Sequence, residues 1–120
     1  MRYNRLLDAD NSLSCLTETV SVAIHSFELQ VLFGIYNLTN PGSVTTSEVL
    51  AMIREMGITK KEFHFFDSEE QFMQLAAKAP RSHCVLDSSN AVAAGLNLSP
   101  VRAALRVALL DWSASKLNQP

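Results

Sequence analysis

The sequence predicts a small α/β fold with two or three short strands and four or five helices. Three stretches lead to that expectation. Residues 34–50, GIYNLTNPGSVTTSEVL, read as strand, tight turn and capped helix in that order. Residues 62–66, EFHFF, form a second β-prone run that leads into an amphipathic helix. Ser99-Pro100 opens a long last helix, with a hydroxyl at the cap and proline at the first helical position.

In chain order, residues 1–7 read as a strand with Tyr3, Leu6 and Leu7 as its apolar members. Residues 11–14 read as loop and helix entry. From Leu16 to about Phe33, Leu16, Val20, Ile24, Phe27 and Val31 recur at helical offsets. Thr17-Glu18 suits the positive end of that helix dipole. Ile35, Tyr36, Asn37 and Leu38 make a short strand. Asn40-Pro41-Gly42 is a turn: Pro41 presets φ, and Gly42 takes a positive φ without steric cost. Thr45 and Glu48 have capping-box spacing, hydroxyl to amide one way and carboxylate to amide the other. Val49, Leu50, Met52, Ile53 and Met56 continue as a helix, which Gly57 ends. Asp67 with Glu70 resembles a further capping box, for a helix running to about Lys78 with Phe72, Met73, Leu75 and Ala76 inward. Val85 and Leu86 read as a short extended segment. Asp87 caps a short helix ending at Gly95. In the last helix, Val101, Ala104, Leu105, Ala108, Leu109 and Trp112 fall inward and Arg102 and Arg106 outward, as far as about Leu117.

Composition narrows the function. With 120 residues and 48% apolar content, the chain has the size of one small domain. A formal net charge of −2 gives no electrostatic case for nucleic acid or an anionic membrane. No apolar run reaches the roughly 18 residues of a membrane span, and MRYNRLLDAD has no apolar signal core. Cys15 and Cys84 sit in no CxxC arrangement and read as thiols of a reducing cytoplasm.

The stretch Gly34-Ile35-Tyr36-Asn37, Thr39-Asn40-Pro41-Gly42, Val44, Thr45, Glu48 and Leu50 resembles a motif of extended short-chain dehydrogenase/reductases. The similarity is greatest to the dTDP-4-dehydrorhamnose reductase and nucleotide-rhamnose epimerase-reductase group. Arg2-Tyr3-Asn4, Asn11-Ser12, Ala79-Pro80-Arg81-Ser82 and Leu86-Asp87 extend it in the same order over nearly the whole chain. Family members often carry aspartate where Thr17 stands here. The resemblance implies that residues 1–120 are a single substrate-binding-type domain. That domain is the C-terminal nucleotide-sugar-binding portion of an NADP(H)-dependent 4-keto-6-deoxy-sugar reductase of the dTDP/UDP-rhamnose pathway, without its Rossmann half. In the family, the GIYNL-type strand joins the edge of the larger nucleotide-binding sheet. The partners implied are a nucleotide sugar and either the missing catalytic Rossmann domain or a second copy. The alternative is a stand-alone, non-catalytic binding or regulatory module derived from that fold.

The chemistry of such a reductase is not encoded here. A dinucleotide turn needs closely spaced glycines so that backbone can approach a pyrophosphate. The closest pair, Gly34 and Gly42, is eight positions apart. The family's catalytic Tyr-x-x-x-Lys is also missing, because Leu7 and Asn40 stand four residues after Tyr3 and Tyr36. No catalytic residue, metal ligand or cofactor site is therefore assigned, and NADP(H) is implied only for the parent enzyme. His25, His64 and His83 fall on different elements. His83 and Cys84 are adjacent on an extended run and point apart. Asp67, Glu69 and Glu70 read as a solvated helix start, and Ser47 and Ser99 as capping residues. Arg81 is the first candidate for substrate binding. It either forks onto a diphosphate or pins its loop to a carboxylate such as Asp87. Asn40 is the second, as a ligand contact or as a turn residue bonding its own backbone. Pro41, Gly42, Thr45 and Glu48 are assigned to turn and cap.

Overall fold

The computed structural model describes residues 5–77, 79 and 84–117, with side chains in the last helix to Ser115. Met1 to Asn4, Pro80 to His83 and the tail after Leu117 lie outside the described residues, and with them Tyr3 and the candidate Arg81.

Five helices and four two-residue strands alternate through the described residues: β1 (Arg5–Leu6), β2 (Asp10–Asn11), α1 (Leu16–Glu28), β3 (Val44–Thr45), α2 (Thr46–Glu55), β4 (His64–Phe65), α3 (Glu69–Leu75), α4 (Ser89–Ala93) and α5 (Val101–Leu117). β1 pairs in parallel with β4, Arg5 against His64. β2 pairs antiparallel with β3, Asp10 against Thr45. Asn11 also bridges Cys84 in parallel. The fold is the small α/β type that the sequence predicts.

Several boundaries differ from expectation, each for a local reason. The Ile35–Leu38 run forms no strand. Its backbone N–H groups meet no backbone carbonyl among the described residues, and β-prone residues make a strand only where a neighbour supplies the ladder. The pairing falls instead on Val44–Thr45, within the stretch read as turn and helix start, against Asp10–Asn11, of which Asn11 was read as loop. α1 stops at Glu28, five residues before Phe33. Gln30 takes φ 49°, and the Gln30 and Val31 amides donate to Phe27 and Ser26 carbonyls. That is a Schellman ending without glycine. α3 is capped by Ser68, not Asp67. The Ser68 hydroxyl accepts from the Gln71 amide, while Gln71 pairs through its side chain with Asp67. α4 follows Ser88, and Asp87 instead accepts from the Ser89 amide at 2.8 Å. Arg102 and Arg106 are exposed, as expected, and in addition reach across the surface to α2, at 2.6 Å to Glu48 and 4.0 Å to Glu55.

Other expectations hold. Thr45 and Glu48 make the reciprocal capping box. Gly57 lies at φ 69° and closes α2 with bonds to the Arg54 and Ile53 carbonyls from its own amide and that of Ile58. His64 is exposed between the half-buried Phe63 and Phe65.

The buried apolar residues among those described are Val44, Ala91, Leu96, Leu98, Val101 and Ala104, gathered where the turn meets the start of α5. This core is small for the chain. The accessible surface is 8899 Å², against about 6,400 Å² for a folded monomer of this mass. The radius of gyration is 17.1 Å, against about 13.6 Å for a compact domain of this length. The predicted apolar stripe of α1 accounts for part of the excess, because Leu16, Val20, Ile24 and Phe27 are all exposed.

Candidate functional site

The turn at residues 40–42 is the hub of the described structure. Asn40 is 1% exposed. Its Oδ1 accepts from the Cys15 amide at 2.7 Å. Its Nδ2 donates to Glu18 Oε2 at 2.7 Å and to the Ser99 carbonyl at 2.8 Å. Its own amide donates to the Leu13 carbonyl. One side chain thus ties the entry of α1 to the entry of α5. Glu18 also accepts from the Ser99 amide at 3.0 Å. Hydrogen bonds from Ser99, its hydroxyl foremost, and from Asn40 hold the Glu18 carboxyl below its ordinary range. The structure therefore gives Asn40 a different occupation from either one considered above. Both amide hydrogens are committed inside the chain, and the bonds run to distant segments.

Pro41 and Gly42 complete the hub. The Pro41 carbonyl accepts the Val101 amide at 2.9 Å, which satisfies one of the orphan donors at the start of α5. Gly42 sits at φ 94°, and a Cβ there would lie 3.4 Å from Val101 Cγ1. Glu48 closes the capping box and receives Arg102. The Arg102 guanidinium first, then the Thr45 amide, hold the Glu48 carboxyl below its ordinary range.

A cleft of about 500 Å³ opens at the carboxyl ends of the parallel pair β1 and β4, the end at which open α/β sheets present ligand sites. Residues 7–11 line one wall and residues 65–69 the other, with Cys84 between them. Asp8, Asp10, Asp67 and Glu69 make it acidic. Asp8 accepts from the Ser47 amide at 2.9 Å and Asp10 from the Ser43 hydroxyl at 2.8 Å. The helix-capping segment thereby braces this wall. Arg5 and His64 line an adjoining depression that shares Phe65 and Asp67 with the cleft. Such a surface offers carboxylate acceptors to hydroxyl groups and, beside them, a guanidinium to an anion. Among the described residues, no group of three or more His, Cys, Asp or Glu is arranged to hold a metal ion, and no helix is long and apolar enough to cross a membrane.

Sequence reasoning placed none of Asp8, Asp10 and Arg5 in a site. Their only signal was position in or just after the first strand, and that strand is two residues long. Arg81 lies three residues before Cys84, outside the described residues.

Fold and sequence together define the class: the chain is related to the C-terminal regions of rhamnose-pathway reductase enzymes and shares their fold. Over 88 residues, 73% of this chain, it is 36% identical to the bifunctional dTDP-4-dehydrorhamnose 3,5-epimerase/dTDP-4-dehydrorhamnose reductase of Arabidopsis thaliana. It is 35% identical over the same length to a trifunctional UDP-glucose 4,6-dehydratase/UDP-4-keto-6-deoxy-D-glucose 3,5-epimerase/UDP-4-keto-L-rhamnose-reductase of that plant. The crystal structure of the L780 UDP-rhamnose synthase from Acanthamoeba polyphaga mimivirus superposes with a TM-score of 0.74 at 25% identity, over 89% of this chain and 36% of that one. The chain spans 28% and 13% of the two plant proteins. No protein-family model matches it.

Proposed function

We propose that this chain is the nucleotide-sugar-binding portion of a 4-keto-6-deoxy-sugar reductase of the rhamnose pathway, working in the cytoplasm. Hydride transfer from NADP(H) then belongs to a nucleotide-binding part outside residues 1–120. The observation that carries this reading is the superposition on a UDP-rhamnose synthase over 89% of the chain. In it, the acidic cleft takes the sugar hydroxyls and Arg5 beside it takes the diphosphate, with Arg81, three residues before Cys84 in sequence, as a further cation for the same group. The chain's own contribution is to bind and orient. The Asn40 hub and the Ser43 and Ser47 contacts fix the wall from which Asp8 and Asp10 project.

Calorimetric titration with UDP-rhamnose tests the reading. The expected result is saturable binding that weakens at least tenfold in Arg81→Ala and in Asp10→Ala. Absence of binding, or binding indifferent to both substitutions, refutes it.

A further inference from the structure

We propose that Arg5 and His64 form a two-cation clamp for the diphosphate of the nucleotide sugar, and that protonation of His64 closes it. The proposal rests on the reading of the cleft given above and adds the group that makes binding depend on pH. Arg5 and His64 are register partners in the parallel pair β1 and β4. Register partners on neighbouring strands lie about 5 Å apart and present their side chains on the same face. Here that face is the wet one: Arg5 and His64 are exposed, whereas Leu6 and Phe65, the next pair, are half-buried. Both cations line the depression that adjoins the acidic cleft. A diphosphate has one phosphoryl group for each of them, with a guanidinium fork on one and an imidazolium N–H on the other.

Charge balance calls for the second cation. Asp8, Asp10, Asp67 and Glu69 line the cleft, and a nucleotide sugar brings a dianionic diphosphate to them. Against these charges, Arg5 is the one fixed cation among the described residues that line the cleft and the depression. An imidazole ordinarily takes up a proton at about pH 6.5, and no other ordinary side chain changes its charge between about pH 5 and 8. The charged groups that share the depression with His64 are Arg5 from β1 and Asp67 beyond the end of β4. Asp67 Oδ2 accepts from Gln71 Nε2 at 3.2 Å, which ties that carboxylate to α3. Glu62, two residues before His64, is not part of the lining. Carboxylic acids ordinarily titrate near about pH 4, and a diphosphate diester keeps its charge from there upward. The imidazole is therefore the group that switches in the neutral range, and lower pH tightens the clamp.

Calorimetric titration of the full chain with UDP-rhamnose, repeated from about pH 8 down to about pH 5.5 across the imidazole range, is the test. Affinity is expected to rise about fivefold as pH falls, as a charge-assisted hydrogen bond at a part-exposed site allows. His64→Gln should abolish the rise, and His64→Arg should hold the low-pH affinity throughout. His64 is exposed, so both variants should keep the circular dichroism of the wild type. His83→Gln, which removes the histidine next to Cys84 in sequence, should leave the rise intact. An affinity independent of pH, or a rise that survives His64→Gln, overturns the clamp. UDP-glucose, with the same diphosphate diester on another sugar, keeps the two readings apart. Loss of UDP-rhamnose binding, while UDP-glucose binding still follows His64, refutes the sugar reading of the cleft and supports the clamp. UDP-rhamnose binding that is flat in pH supports the cleft and refutes the clamp. Binding of neither ligand overturns both.

Discussion

Replacing Asn40 with alanine should be the most damaging polar substitution among the described residues. The change removes three side-chain hydrogen bonds, to the Cys15 amide, Glu18 Oε2 and the Ser99 carbonyl. A buried neutral hydrogen bond is worth about 1 kcal/mol and one to a charged group about 1.5–3 kcal/mol. The three together amount to about 3.5–5 kcal/mol. Glu18 keeps the Ser99 amide as a partner, and water entering the vacated space recovers part of the loss. The expected net cost is therefore about 3 kcal/mol, out of a total that rarely exceeds ~15 kcal/mol. At this chain length, that lowers the melting temperature by roughly 10–15 °C. The volume left behind adjoins a small cavity of about 150 Å³ lined by Leu13, Val101, Ala104 and Leu105, so collapse onto it does not restore contact for the polar groups. The assay is urea denaturation followed by circular dichroism, with the variant and wild type at equal concentration. Asn40→Asp sharpens it. Its new carboxylate would sit where Nδ2 now lies 2.7 Å from Glu18, and two carboxylates that close do not both ionise. Asn40→Asp should thus be worse than Asn40→Ala at pH 7 and recover as pH falls toward about 4. A cost below about 1 kcal/mol for Asn40→Ala, or an Asn40→Asp penalty independent of pH, would show that the hub does not hold the fold together.

Gly42→Val should cost about 1–2 kcal/mol from the positive φ alone, with more from the contact against Val101; urea midpoints measure it, and a midpoint equal to wild type refutes the turn assignment. Thr45→Ala should cost about 1 kcal/mol as a lost helix cap, read from the same curves, and should lower the helical signal of α2. Glu18 and Glu48 both have carboxyls depressed in the folded state. Their contribution is complete above the unfolded glutamate value of about 4.3 and is lost as pH drops through their lower folded values. Thermal melts between pH 7 and 3 should show that decline, with a shallower slope in a Glu18→Gln, Glu48→Gln double variant. NADPH titrated into the chain should give no saturable fluorescence change, since no Gly-rich turn and no Tyr-x-x-x-Lys are encoded; saturable micromolar binding would contradict the division of labour proposed above.

The sequence by itself determined what short-range stereochemistry governs. Thr45 and Glu48 had to meet because three residues separate them at a helix start. Gly42 and Gly57 had to take positive φ because no other residue there does so cheaply. The family resemblance was legible for the same reason: residues 34–50 carry a turn and cap whose spacing leaves few alternatives. What the sequence left undecided depends on partners far along the chain. The amphipathic pattern of α1 identifies an apolar face, yet says nothing of which body covers it, and within this chain that face stays in solvent. Residues 35–38 have strand propensity but no ladder. Propensity is a property of the residue, whereas a strand is a property of a pair. Asn40 read locally as a turn residue, and only the tertiary structure brought Cys15, Glu18 and Ser99 around it, from 25, 22 and 59 positions away. The acidic cleft likewise exists only because β1 and β4, far apart in sequence, lie side by side. Their pairing is set by packing over the whole domain, which no window of sequence contains.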